Sequence, residues 1–252
     1  MTSKLVIEHL NVTYADGVVA LKDVNMQVTE NAITSIFGPA GGGKSTLLRM
    51  LNRLSDLADV AEVTGSILLN GEDILKNDIN VMALRRRVGM VFSRPLALPL
   101  SLYDNVCYGL TVAGIHKKSV LDDKVERALK QVTLWDEVND RLRSPAHKLS
   151  GGQQQRLSMA RVLALQPEVI LLDEPTSALD PVATNKIESL LHDLSKSLTV
   201  MIAPHNTQQT ARLADYAGFF LSGELVEFGL KTQIFTLPNV FRTRDYIEGR
   251  FG

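Results

Sequence analysis

The sequence predicts an α/β fold in which a mostly parallel sheet is flanked by helices, with antiparallel strands at the N-terminus and a helical segment inserted part-way along. Three observations carry this. Short apolar runs recur at residues 33–37, 88–92, 169–172 and 198–203, with strand-like length. Helical periodicity falls between them, and strands alternating with helices imply an α/β core. Ahead of the first run, apolar and polar residues alternate, as half-buried strands do.

Taken in order, Leu10, Val12 and Tyr14, then Val24, Met26 and Val28, have the period of two strands, with Asp16-Gly17 at the turn. The run 33–37 ends at Gly38, and residues 44–53 read as a helix with Leu47, Leu48, Met50 and Leu51 inward. Residues 65–71 read as a strand bounded by its glycines, and 88–92 as another. From 94 to 165 the pattern becomes helical: a loop at Pro95 and Pro99, periodicity through Val125, Leu129 and Val132, a loop at Ser144-Pro145, and a helix over 154–165. Strands return at 169–172, 198–203 and 217–221, and Ser222-Gly223 makes a hairpin turn into 225–228. With no repeat or linker in view, the chain reads as one domain over 1–252. Its core comprises 1–93 and 166–252, and its helical subdomain 94–165.

Composition narrows the function. With 252 residues, 45% of them apolar, there is material for a large core, and disorder is not expected. A net charge of -1 offers no basic footprint for nucleic acid. Cys107 is the single cysteine, so neither an internal disulfide nor a zinc cluster is available, which fits a reducing compartment. The first residues lack a secretory pattern, and no apolar run reaches the roughly 18 residues a bilayer span needs. A cytoplasmic protein is expected, and any membrane role must come through a partner. Trp135, Cys107, Met50, Met90 and Met159 read as packing residues, and His147 as a loop or surface histidine.

Residues 38–45, Gly-Pro-Ala-Gly-Gly-Gly-Lys-Ser, fit the phosphate-loop pattern G-x-x-x-x-G-K-[ST] between a strand and a helix, the context the pattern requires. Glycines let backbone N–H groups turn toward phosphate oxygens. Lys44 reaches the outer phosphates, Ser45 can ligate Mg²⁺, and the helix N-terminus, with Thr46 in its first turn, favours the anion. The run 169–172 delivers Asp173 and Glu174 at its C-terminal end, where open α/β sheets place ligands. There Asp173 can hold Mg²⁺ and Glu174 can orient and deprotonate an attacking water. Leu149-Ser150-Gly151-Gly152-Gln153 precedes a helix and forms a second anion site from backbone N–H groups.

The ordered set resembles the ATP-binding cassette family: a phosphate-loop NTPase core with an N-terminal antiparallel subdomain and an inserted helical one. Residues 149–153 resemble its signature, Ser177-Ala178-Leu179-Asp180 its D-loop, His205 its switch histidine, and Tyr14 its adenine-stacking aromatic. The resemblance implies ATP and Mg²⁺ as cofactors, Glu174, His205 and Lys44 as catalytic groups, and a homodimer in which Ser150, Gly151, Gly152, Gln153 and Asp180 complete the opposite copy's site. It further implies an ATPase on the cytoplasmic face of the inner membrane, bound to integral permease subunits and served indirectly by a substrate-binding protein. Segments 51–54, 84–92, 101–106, 149–156 and 245–252 are similar to the ATP-binding subunits of bacterial phosphate importers, so phosphate is the expected solute.

Two positions depart from the family pattern. Ser93 stands where a glutamine approaches the metal; its shorter hydroxyl reaches only through a water or a loop shift. Pro204 precedes the switch histidine and lacks an N–H. Other readings are an importer ATPase for a different oxyanion, a degenerate cassette that binds ATP as a regulatory module, and a soluble relative in DNA repair or translation. The last usually carries a coiled-coil insertion, zinc cysteines or two cassettes, and none is present.

Overall fold

The computed structural model describes residues 2–250. Phe251 and Gly252, the end of the last of those segments, lie outside the described residues. Two long strands open the chain, β1 (Ser3–Tyr14) and β2 (Val19–Thr29), and at the turn between them the Asp16 carboxylate accepts from Val18 N–H. β3 (Ile33–Phe37) leads through the glycine loop into α1 (Lys44–Met50). β4 (Val60–Leu69) pairs with β1, β5 (Glu72–Asp73) folds back on β4, and α2 (Val81–Arg87) runs directly into β6 (Val88–Val91). Helices then take over: α3 (Leu102–Val112), α4 (Lys118–Gln131), α5 (Trp135–Val138) and α6 (Gly151–Leu163). Alternation resumes with β7 (Val169–Asp173), α7 (Pro181–Leu194), β8 (Thr199–Ala203), α8 (Thr207–Leu213) and β9 (Tyr216–Leu221). β10 (Glu224–Leu230) turns back on β9 before α9 (Lys231–Thr236) and α10 (Phe241–Ile247).

Two sheets result, as the sequence predicts. The antiparallel sheet has the order β2-β1-β4-β5; the other has the order β10-β9-β3-β8-β7-β6, parallel from β9 to β6 with β10 antiparallel on one edge. Every residue of β3, β7 and β8 is buried, the consequence of covering a parallel sheet on both faces. One core forms where α3, α4, α6 and α7 meet this sheet. A second fills the space between the two sheets, and α1 is held inside it by Leu47 and Leu48, both fully buried. Each contributes about 2 kcal/mol from apolar area removed from water. The helix behind the glycine loop is thus clamped from both sides.

Some boundaries differ from the sequence reading. Gly65 lies inside β4 and does not begin it: its φ of +95° falls where the β1–β4 register shifts between Glu8 and Asn11. A methyl there would stand 2.4 Å from the His9 carbonyl oxygen, so the glycine is needed by the bulge. α6 starts at Gly151, three residues before the position expected from periodicity, because Ser150 caps it. Met50, Met159 and Cys107 are buried, Met90 and Trp135 are partly buried against the core, and His147 is exposed.

Glu168 fastens the two sheets to each other. Its carboxylate accepts from Arg87 Nε at 2.6 Å and Asn70 Nδ2 at 2.6 Å, with Lys4 Nζ at 3.5 Å. Burial pushes its pKa up, but Arg87 and Asn70 outweigh that and leave it below the usual carboxylate value. A depressed folded pKa contributes stability that is present above the unfolded carboxylate pKa and lost as pH falls through the folded one. Glu168→Ala is expected to cost about 1 to 2 kcal/mol at neutral pH, or about 2 to 8 °C in melting temperature. The deficit should shrink when parent and variant are melted near pH 3; a constant difference would exclude the ionic contribution.

Candidate functional site

After β3 the chain turns sharply around a concavity. Gly38, Gly41 and Gly43 have φ of +144°, +75° and +99°. A methyl on Gly38 would lie 1.9 Å from the Phe220 carbonyl oxygen, and one on Gly43 2.7 Å from that of Ala20. Distant backbone therefore demands glycine at both ends of the loop. Pro39, Ala40 and Gly42 lie between; Gly42 N–H donates to the Pro39 carbonyl at 3.2 Å. No side chain caps α1, whose first-turn N–H groups, with the helix dipole, make an anion cradle.

Lys44 opens that helix, 9% exposed, and its ammonium donates to the Gly38 and Pro39 carbonyls at 2.8 Å each. Burial pushes its pKa down, and the Glu174 and Asp173 carboxylates oppose the shift. A buried cation held by neutral carbonyls gains from an incoming phosphate. Ser45 Oγ donates to Asp173 Oδ1 at 2.9 Å, joining the loop to the end of β7. A hydroxyl and a carboxylate are hard oxygen donors. The pair fits a cation that prefers oxygen ligands and keeps several waters, as Mg²⁺ does. Tyr14, at the end of β1, reaches the same helix: its hydroxyl is 3.1 Å from Thr46 Oγ1.

Glu174 leaves the sheet with φ +46°, a left-handed backbone uncommon outside glycine and asparagine. Its N–H still donates to the Ala203 carbonyl at 2.7 Å, while its own carbonyl accepts from Ser177 N–H at 3.2 Å and Ser177 Oγ at 3.1 Å. The side chain is thereby turned off the strand end toward His205, whose Nδ1 is 3.9 Å from Glu174 Oε2. That gap is too long for a hydrogen bond. Pro204 has a definite effect here. Val200 N–H donates to the Ala32 carbonyl, so the donors of 200, 202 and 204 face β3, and those of 199, 201 and 203 face β7. The donor that proline lacks would face the β3 side, beyond the last pair Ser35 and Ile202, and the β7 side that holds Glu174 is untouched.

Ser93 is half-buried just beyond β6. The preceding carbonyl, of Phe92, accepts from Gln155 Nε2 at 3.0 Å, which ties this loop to α6 through a fully buried side chain. A second surface carries the remaining predicted residues. Ser150 caps α6 in a reciprocal arrangement: its Oγ accepts from Gln153 N–H at 3.4 Å, and its N–H donates to Gln153 Oε1 at 3.0 Å. Gly151 is exposed in the first turn. A methyl on Gly152 would come within 2.8 Å of Ala183 Cβ, so the turn packs tightly on α7. Asp180 caps α7, accepting from Ala183 N–H at 2.9 Å, with Pro181 at the first helical position. Ser150, Gly151, Gln153 and Asp180 line one groove of about 290 Å³. Lys44, Ser45, Asp173, Glu174, His205 and Tyr14 are gathered about the glycine loop and the ends of β7 and β8. Sequence reasoning missed the task of Gln155, which lies in segment 149–156 but meets Phe92 only in the fold, and it missed the groove's Glu137, which stands in no motif.

The sequence comparison decides what this arrangement is. Residues 21–177 match the ABC transporter family. The chain belongs to that family. The match takes in the glycine loop, the signature turn and both carboxylates, and stops short of Asp180 and His205. Among solved structures, the chain is similar to CbiO1 from Clostridium perfringens, described as part of the ABC transporter complex cbiONQ. The two share 30% identity over 99% of this chain and 97% of that one, with a TM-score of 0.82. The molecule is an ABC transporter ATP-binding subunit, and its α/β architecture is the ABC ATPase fold. No helix among the described residues is long and apolar enough to cross a membrane.

Proposed function

We propose that this ATP-binding subunit drives an importer for phosphate. Two copies close head to tail on ATP, permease subunits in the inner membrane convert closure into uptake, and a substrate-binding protein delivers the solute. The chain acts as one domain, with 1–93 and 166–252 as its core and 94–165 as the helical part that carries the signature. The observation carrying the ATPase reading is the Ser45–Asp173 hydrogen bond of 2.9 Å beneath the glycine loop, with Glu174 beside it. In this reading the loop N–H groups from Gly38 to Thr46 and the Lys44 ammonium bind the phosphates, and Tyr14 stacks on adenine. Ser45 and Asp173 hold Mg²⁺, with Ser93 contributing through water. When bound, Mg²⁺ neutralises charge building on the phosphate oxygens. Glu174 orients and deprotonates the attacking water, and His205 steadies the outer phosphate. Ser150, Gly151, Gly152, Gln153 and Asp180 serve the other copy's nucleotide, which is why one chain builds half of each site.

Support for phosphate comes from the segments that resemble phosphate importers, most of which lie outside the ATP chemistry. CbiO1 belongs to a differently named complex, so the solute is the part to test directly. Cells lacking the chain should lose high-affinity uptake of labelled phosphate and regain it on complementation. Intact phosphate uptake with loss of another oxyanion's would overturn the solute and leave the ATPase reading standing.

A further inference from the structure

Glu137 lies on the short helix α5, outside every motif, yet it makes the most connections of any side chain in the signature groove. Its Oε2 accepts from Gln153 Nε2 at 2.8 Å and from Arg156 Nη2 at 3.1 Å, and its Oε1 lies 2.9 Å from Arg156 Nη1. Lys186, on the helix that follows Asp180, stands 3.9 Å away. Arg156 is itself buried, 5% exposed, and donates to the Thr133 carbonyl at 2.6 Å. The carboxylate is therefore pinned by a guanidinium that cannot swing away.

A carboxylate only accepts hydrogen bonds, whereas a primary amide has one end of each kind. With Glu137 in place, the Gln153 NH₂ must face it, which leaves Gln153 Oε1 pointing at Ser150 N–H. Turned over, the amide would set its oxygen against the carboxylate and its NH₂ against another donor. The side-chain half of the capping box, Ser150 N–H to Gln153 Oε1, follows from this choice. We propose that Glu137 is a positioning residue for the signature: it fixes the Gln153 amide and thereby holds the Ser150–Gly151 turn in the form that meets the nucleotide of a second copy. Arg156 and then Gln153 hold the Glu137 carboxyl below the usual carboxylate range, so the acceptor is ionised at neutral pH. Because Lys186 belongs to α7, the same carboxylate also links the signature to the helix capped by Asp180.

The assignment rests on the head-to-tail dimer reading, and the test separates the two. Glu137→Gln restores an ambiguous partner: its own amide can face Gln153 either way. Full-length chain is compared with this variant in three measurements: nucleotide affinity at concentrations where the chain is monomeric, ATP-driven dimerisation in a Glu174→Gln background, and steady-state ATP turnover. The expected result is a roughly tenfold loss in dimerisation and turnover with monomer affinity held within twofold, since the glycine loop is untouched. Adding Gln153→Ala should then cost nothing beyond Gln153→Ala alone, because Glu137 acts through that amide. Parent-like dimerisation and turnover, or additive losses, would overturn the assignment. So would a parallel fall in thermal midpoint and in all three readouts, which marks a mere strut. A parent chain that never dimerises on ATP removes the dimer reading first, and the assignment with it. Glu137→Asp, which keeps the charge and shortens the reach, should recover part of the loss.

Discussion

Glu174→Gln is expected to lower ATP turnover by about 10²- to 10⁴-fold, the usual contribution of a general base, while nucleotide still binds. The replacement has the same shape, and the structure gives it no reason to distort. The backbone at Glu174 is set by main-chain bonds to Ala203 and Ser177, which the side chain does not share. Glutamine tolerates φ +46° as well as glutamate does, so the variant should fold as the parent. Phosphate release measured alongside equilibrium titration of a fluorescent ATP analogue separates the two effects. Turnover within threefold of the parent would remove Glu174 from the chemistry; lost affinity would make it a binding residue.

Gly38→Ala should be the most damaging glycine-to-alanine change among the described residues. The added carbon meets the Phe220 carbonyl oxygen at 1.9 Å, a contact with backbone that no rotamer relieves, at a φ of +144°. Strain plus displacement of β9 should cost about 3 kcal/mol or more, lowering the melting temperature by about 6 to 12 °C, and nucleotide affinity should collapse with the loop's shape. Gly41→Ala is the control. Its φ is +75°, but nothing lies within 4 Å of the added methyl, so only the left-handed penalty of about 1 kcal/mol applies. If the two variants melt together, the close approach of Phe220 is not what requires the glycine.

What could be read in advance was what local chemistry decides. The glycine loop, the runs that become β3, β7 and β8, and the signature turn at 149–153 each lie within a few neighbouring residues. The start of β4 could not be read, because Gly65 looks like a strand boundary unless one knows that His9 crowds it from another strand. Asp180 reads as a D-loop residue from its motif, and the fold gives its carboxylate the local task of capping α7. The Ser45–Asp173 bond spans 128 positions, and the Gln155 bond to the Phe92 carbonyl spans 63. Pairings of that reach depend on where the sheets and helices dock, which no window of sequence contains. Pro204 shows the same limit: its cost depended on which neighbour each β8 donor faces, and that parity is set by β3 and β7.

The far end of the glycine loop touches both sheets at once. Gly43 has no room for a side chain because of Ala20 and Leu21 on β2, and Gly223, in the turn between β9 and β10, is crowded by the same Ala20 carbonyl. Backbone bonds close the triangle, from Gly223 N–H to Gly42 O at 3.2 Å and from Lys22 N–H to Gly223 O at 2.9 Å. Segments near residues 20, 43 and 223 must therefore all be in place before the loop has its shape. During refolding, the phosphate cradle becomes a late acquisition that waits for contacts of high sequence separation, however early α1 forms. In the finished molecule the dependence runs the other way as well: a nucleotide that tightens the loop also cements the seam between the sheets, so ligand binding and the cohesion of the whole subunit are thermodynamically one linked quantity.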